Sequence, residues 1–403
     1  MKRIGKRALI LLLALTLTLL STGCLNAISL DRYGYVLAIG FDRGETLPYR
    51  ITLMLQNTLS ESEDSQTSGG FTLVDAECRN LFEAIETLSG SLPYALDLSR
   101  AVLVVIASPL ARDAGGIENV LDFAMTRLHI RSNANLFIAV SSAHDALAGL
   151  SNELDPNLSR MQINFVTYSQ MTGMIPVTNL TLLDETTHTG LYDAVLPLCG
   201  VTPEDRKEPA RRDSIGLTDY AYVGGALLTN SGMKTGLAGA ALLSGSRMVG
   251  FLDGQNTQLL LLATGEFEYG RMQLPLPDGT PMSLQLHANK RPRVDFSLQG
   301  GARAHVTIPV VAYVELPEHV PNLSDEALAS WIGLTLSRRM EQLFAGCQAL
   351  EADAFGFGKE AVKRFSDTQK WEAYDWKTAY RDMKASFHVV VELSDDSGKS
   401  PLE

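Results

Sequence analysis

At 403 residues the chain is longer than one hydrophobic core usually organises, so two or three domains are expected, and 45% apolar against 20% charged side chains excludes a disordered chain. The formal charge is −12 at pH 7, and loss of the leader described next takes four of the 34 basic residues, Lys2, Arg3, Lys6 and Arg7, leaving 30 against 46 acidic ones. So acidic a surface repels phosphate backbones and anionic lipid head groups, which excludes nucleic acid as a partner and leaves membrane attachment to a lipid rather than a basic patch.

Residues 1–23 read as an export signal: a basic start, an apolar run from Ala8 to Leu20, and the small-residue exit Ser21-Thr22-Gly23. As a helix that run reaches roughly 20 Å, short of the ~30 Å hydrocarbon core, so it is a signal segment and not a permanent span. Gly23-Cys24 resembles a lipobox, in which Cys24 takes a diacylglycerol on sulfur and becomes the mature N-terminus. The usual Leu three residues before the cysteine is replaced by Ser21, with Leu20 one place earlier. Cys78, Cys199 and Cys347 are odd in number and far apart, which encodes neither a disulfide scaffold nor a CxxC site. They are expected to be buried thiols, Cys78 and Cys347 on apolar helix faces.

Leu30 to Asp42 and Tyr49 to Gln56 predict two antiparallel strands, with Gly40 and Asp42 supplying turn chemistry. Residues 57–70 are polar and acidic, a surface loop. From Asp75 the spacing predicts a capped helix with Cys78, Leu81, Phe82, Ile85 and Leu88 on one face, ended by Gly90 and Pro93. Ala101 to Ala107 is a strand buried on both faces, followed by a helix from Ile117 to Leu128 and a strand from Asn135 to Val140. Residues 142–190 read as a second subdomain of short helices (145–150 and 156–168) and an extended stretch from Pro176 to Leu183. A strand from Leu191 to Cys199 then returns to the first sheet. Residues 202–219, charged and with two prolines, read as the linker.

The second half opens with strands at 220–228, 236–243 and 247–252, then Met282 to Asp295 and Ala302 to Leu316, all antiparallel because their connections are short. Asp253-Gly254 is a turn leading into a short buried helix that closes at Thr264-Gly265. Ser324 caps the strongest helix, with Asp325 and Glu326 in its first turn and Leu328, Trp331, Ile332, Leu336, Met340, Leu343, Phe344 and Cys347 on one stripe. Helices around 353–365 and 369–382 precede a last strand, Ala385 to Leu393, and a polar tail from 395 to 403. The expected fold class is α+β and multi-domain: N-terminal mixed α/β layers over 24–201, and over 220–394 an antiparallel sheet packed by a long helix and shorter ones.

Motifs for chemistry are weak. Gly356-Phe357-Gly358-Lys359-Glu360-Ala361 fits GxGxxA, but a dinucleotide site needs a strand before it, and here a helix stands there. No histidine pair has ligand spacing and HExxH and GxSxG are absent, so neither a catalytic residue, a metal nor a cofactor is assigned. Asp253 and Glu266 flank the buried helix and are read as a turn residue and an exposed helix-end charge, not as a carboxylate pair.

In order, Gly224-Gly225-Ala226, Leu237 to Leu242, VGFLDGQNTQ from Val249, FGFG from Phe355, and Trp371 and Trp376 resemble the Ger(x)C family of spore germination lipoproteins. Ala38-Ile39-Gly40-Phe41-Asp42 after the lipid cysteine does so too. The segment directly after Cys24 departs from the family, with Leu25 and a delayed Asp31-Arg32. The resemblance implies a non-catalytic C subunit of a nutrient germinant receptor, anchored through Cys24 at the outer face of the spore inner membrane. Its partners would be the integral A and B subunits, it would be required for the response to nutrients, and it would not itself bind a small molecule. A solute-binding lipoprotein of a transporter is the alternative, disfavoured by the dissimilar halves.

Overall fold

The computed structural model describes residues 32–56, 71–128, 130–150, 158–202, 223–227, 233–315 and 324–394. The signal segment, Cys24, the 57–70 loop, nearly all of the 202–219 linker and the tail lie outside these.

β1 (Tyr33–Arg43) and β2 (Tyr49–Gln56) form the expected antiparallel pair. The segment read as the start of a helix at Asp75 is instead a third strand, β3 (Phe71–Cys78), paired along its length with β2. The partner strand supplies the backbone bonds a helix would have made internally, and Arg50 holds the Asp75 carboxylate at 2.9 Å. α1 (Leu81–Ser91) starts only afterwards, with the Asn80 side chain accepting from Glu83 N–H. Cys78 therefore sits buried at a strand end, not on a helix face.

β4 (Ala95–Asp97) lies beside the start of β1, and β5 (Leu103–Ala107) is buried throughout, as its apolar run requires. α2 (Ser108–Ala111) and α3 (Gly116–Asp122), the latter extended by a π-helical turn over Phe123–Arg127, lead to β6 (Asn135–Ala139). Next come α4 (Ala143–Ala148), α5 (Leu158–Met171), α6 (Leu180–Thr189) and β7 (Val195–Val201). Where sequence predicted an extended run to Leu183, α6 begins at Leu180, because Asn179 turns its side chain onto Leu182 N–H and caps it.

β8 (Thr235–Ser244) and β9 (Arg247–Leu252) were expected in the second sheet. β8 pairs with β7 and β9 with β8 instead, completing the first sheet in the order β3-β2-β1-β5-β6-β7-β8-β9. β8 is apolar on both faces and almost wholly buried, so it needs a neighbour on each side and cover above and below. The strand expected over 220–228 is, within its described part, a turn at Gly224-Gly225 packed backbone to backbone on Cys199 and Gly200. A Cβ on Gly224 would come within 2.8 Å of the Cys199 carbonyl carbon.

α7 (Gly254–Thr264) carries the chain from one sheet to the other. Asp253 caps it, accepting from Asn256 N–H at 2.8 Å, Gly265 ends it at φ 80°, and every residue from Gly254 to Ala263 is buried. The second sheet holds β10 (Tyr269–Pro275), β11 (Pro281–His287), β12 (Arg293–Ser297), β13 (Arg303–Glu315) and β14 (Lys384–Leu393). The single strand expected over 282–295 breaks after His287, ahead of Pro292. β14 joins β13 in parallel, which the long helical crossover before it permits.

α8 (Asp325–Ala349) is capped by Ser324 and buries Leu328, Ile332, Leu336, Met340, Leu343, Phe344 and Cys347 of the predicted stripe, while Trp331 stays half-buried. Two strands of this sheet, β10 and β14, meet the helix through hydrogen bonds. Trp331 Nε1 and the Arg339 guanidinium donate to the β10 carbonyls of Pro275 and Gln273, while Ser337 Oγ accepts from Val389 N–H of β14 at 3.0 Å. Edge groups that would invite another strand are thereby used. α9 (Phe357–Val362), α10 (Thr368–Glu372) and α11 (Trp376–Arg381) close one end. The whole is the α+β, multi-domain fold that the sequence predicts.

Candidate functional site

The chemistry-bearing groups of the chain gather where the two sheets meet. Asp193, at the head of β7, accepts from Gly245 N–H at 2.6 Å with one oxygen and from Asp353 N–H at 2.8 Å with the other. Asp353 is buried, and its own carboxylate accepts from Phe357 N–H (3.0 Å), Gly358 N–H (2.8 Å) and Trp376 Nε1 (3.2 Å). Burial pushes the Asp353 carboxyl up to about 7; the Gly358 and Phe357 N–H bonds pull against it, and nearby Asp193 adds to it. Asp193 is raised too, also by burial.

The glycines of the FGFG stretch have separate jobs. Gly356 takes φ 70° to enter α9, and a Cβ on Gly358 would fall 1.7 Å from the Leu191 carbonyl oxygen, so no side chain fits there. Phe355 and Phe357 stack at 5.8 Å and both meet the edge of Phe344 on α8. The stretch is thus a turn anchored by its phenylalanines.

Above this network lies a cleft of about 530 Å³, in the size range of small-molecule sites. The C-terminal half of α7 (Leu260, Leu261, Thr264), the FGFG turn and residues 176–195 all contribute walls. At its rim the Lys359 ammonium sits 3.4 Å from the centre of the Tyr192 ring, and Glu266 and Glu360 add carboxylates. Burial, then the charges of Glu185 and Glu266, push the Tyr192 hydroxyl up to about 12.

Of the two stretches singled out in sequence, FGFG lines the cleft and DGQNTQ does not; the residues that follow DGQNTQ in the far half of α7 face FGFG across it. Asp253 is no surface turn residue: it is a buried helix cap. Glu266 is exposed at the opposite end of the eleven-residue helix, so the two carboxylates do not pair. Asp42, read as a hairpin residue, is buried and accepts from Ala143 and His144 N–H, capping α4. Gly40 lets that helix approach, since a Cβ there would stand 3.2 Å from Ala143 Cβ. Asp193 and Asp353 were missed as a pair; the available signal was an acidic residue heading the apolar run AVLPL without a turn residue beside it. Among the described residues no three His, Cys, Asp or Glu side chains gather as a metal site, and no helix is long and apolar enough to cross a membrane.

Residues 26–201 match the spore germination protein N-terminal domain, and residues 238–396 match the spore germination B3/GerAC-like C-terminal domain. Spore germination protein B3 of Bacillus subtilis (strain 168) is 24% identical over 274 residues, which span 66% of this chain and 64%, just under two thirds, of that protein. Among solved structures, the crystal structure of the GerBC protein superposes with a TM-score of 0.53 at 14% identity, over 89% of this chain and 97% of that one, a likeness of fold.

Proposed function

The chain belongs to the Ger(x)C family of spore germination proteins, and from that premise we propose that it is the lipid-anchored C subunit of a nutrient germinant receptor. In this reading Cys24 carries the lipid, the protein stands on the outer face of the spore inner membrane, and it assembles with the integral A and B subunits without catalysing a reaction. The observation that carries the reading is the succession of both family domains, in order, over nearly all of the chain after Cys24. The junction supports it: a carboxylate shared between Gly245 and Asp353 ties the sheets into one body suited to presenting a fixed surface to other proteins. Deleting the chain is expected to abolish the response to the nutrients its receptor senses, and affinity capture from spore membranes is expected to bring down the A and B subunits. Normal nutrient germination of the deletion strain would remove the reading.

The cleft favours a second reading, a solute-binding lipoprotein. It offers an apolar floor with Lys359, Glu266 and Glu360 at the rim, where a small charged molecule could be held. Calorimetry of residues 25–403 against amino acids and sugars separates the two. The receptor-scaffold reading expects no heat of binding, and saturation at micromolar ligand that is lost in Lys359→Ala would favour the binding protein.

A further inference from the structure

We propose that the open depression between α10, the start of α11 and the end of α6 is a binding site for an uncharged polysaccharide, whose pyranose rings lie against Trp371 and Tyr374. The site shares no lining residue with the cleft at the sheet junction and stands independently of the receptor reading.

α10 buries none of its five residues. A single helical turn has no stability of its own, so something outside its backbone must hold it. Aromatic contacts do: the Trp371 ring centre lies 5.5 Å from that of Phe365, 6.1 Å from Trp376 and 6.3 Å from Tyr374. Of these four rings only Trp376 is buried, and packing leaves part of Trp371 and Tyr374 to solvent. Both border a depression of about 400 Å³, completed by Gly190, the left-handed cap of α6, and by the exposed side chains of Glu372 and Lys377.

Four polar groups of this depression have no hydrogen-bond or ion-pair partner among the described residues: Trp371 Nε1, the Tyr374 hydroxyl, the Glu372 carboxylate and the Lys377 ammonium. Asp375 is not one of them, since its oxygens accept from Thr378 N–H at 3.1 Å and from the Thr378 hydroxyl at 2.6 Å. A pyranose carries C–H groups that pack on the electron-rich face of an aromatic ring, and hydroxyls at its edge that both donate and accept. Trp371 and Tyr374 supply ring surface, the indole N–H and the ammonium donate, and the carboxylate accepts. The Tyr374 hydroxyl does both, and burial raises it above its ordinary value, so it keeps its proton. One carboxylate and one ammonium sum to zero, which suits an uncharged ligand. A free small molecule needs most of its surface enclosed, whereas an open depression admits the inner stretch of a chain that runs on past it.

The test is saturation-transfer NMR of the full chain in phosphocholine micelles, with cellotetraose, maltotetraose and chitotetraose as probes. Expected is transfer from the protein to the ring C–H protons of at least one of these, saturating as its concentration rises, and Trp371→Ala should abolish it. Because the Trp371 ring also holds α10, a second variant separates binding from folding. Glu372→Ala with Lys377→Ala removes two exposed groups that bond nothing in the protein, and should weaken binding about tenfold while leaving the melting temperature unchanged. Absence of transfer to all three sugars overturns the site. Transfer that keeps its strength in both variants overturns it too, since the sugar then lies elsewhere on the chain.

Discussion

Asp193 Oδ2 accepts the backbone N–H of Asp353 at 2.8 Å, across 160 residues of sequence and across the boundary between the two sheets. The other Asp193 oxygen holds the β8–β9 turn through Gly245 N–H. One side chain thus ties a strand of the first sheet, its last hairpin and the FGFG turn.

Asp193→Ala leaves the buried Asp353 N–H without its acceptor and is expected to cost about 1–3 kcal/mol. Equilibrium denaturation read at Trp376, whose Nε1 bonds Asp353, should shift to a lower midpoint. An unchanged midpoint would show that the junction does not depend on this carboxylate.

The Asp353 carboxyl has an ordinary value of 3.8 and is held at about 7 in the folded protein, chiefly by burial. Between those values the folded chain keeps a proton that the unfolded chain has released. The stability this contributes is complete below about pH 4 and is lost as pH rises to about 7. Asp42 and Asp193 are raised by burial in the same direction. Denaturant midpoints should therefore fall from pH 5 to pH 7.5, and fall less steeply in Asp353→Asn. Equal slopes in the two proteins would contradict the assignment.

On α8, Leu336 is fully buried and Leu334 is 56% exposed, two residues away on the opposite face. Leu336→Ala should cost about 2–5 kcal/mol, because removing a buried leucine loses transfer energy and leaves a cavity. Leu334→Ala should change stability by less than about 0.5 kcal/mol. Comparable losses in thermal melts of the two variants would mean that the helix is turned differently.

Gly333, within the same helix, gives a prediction of sign. Replacing a helical glycine by alanine ordinarily stabilises by up to about 1 kcal/mol. Here the added Cβ would stand 2.6 Å from the Val389 carbonyl oxygen, a backbone atom of β14. The helix must shift away and strain the Ser337–Val389 bond, so Gly333→Ala should lower the melting temperature. A raised one would show that α8 has room to move.

Cys24→Ala should release the protein into the soluble fraction of washed membranes, since the apolar run from Ala8 to Leu20 is too short to remain as a span. Retention of the variant with its signal removed would require another means of attachment.

The sequence by itself determined what depends on near neighbours. The stripe of α8 and its Ser324 cap, the doubly buried strand at 103–107, the β1–β2 pair and the end of α7 at Gly265 are fixed by spacing, caps and turn residues within a few positions of one another. The order of small motifs sufficed to identify the family, because it survives without knowledge of contacts. Tertiary structure decided what depends on distant partners. Residues 75–78 carry a spacing that a helix could use, and only β2 alongside makes them part of the strand over 71–78. β8 and β9 follow the linker yet belong to the first sheet, because β7 offers an open edge and β8 needs burial on both faces. Asp42 and Asp193 stand in sequence as ordinary polar residues near strand ends. Their roles arise from N–H groups 101 and 160 residues away, brought within hydrogen-bond reach by packing that no local spacing encodes.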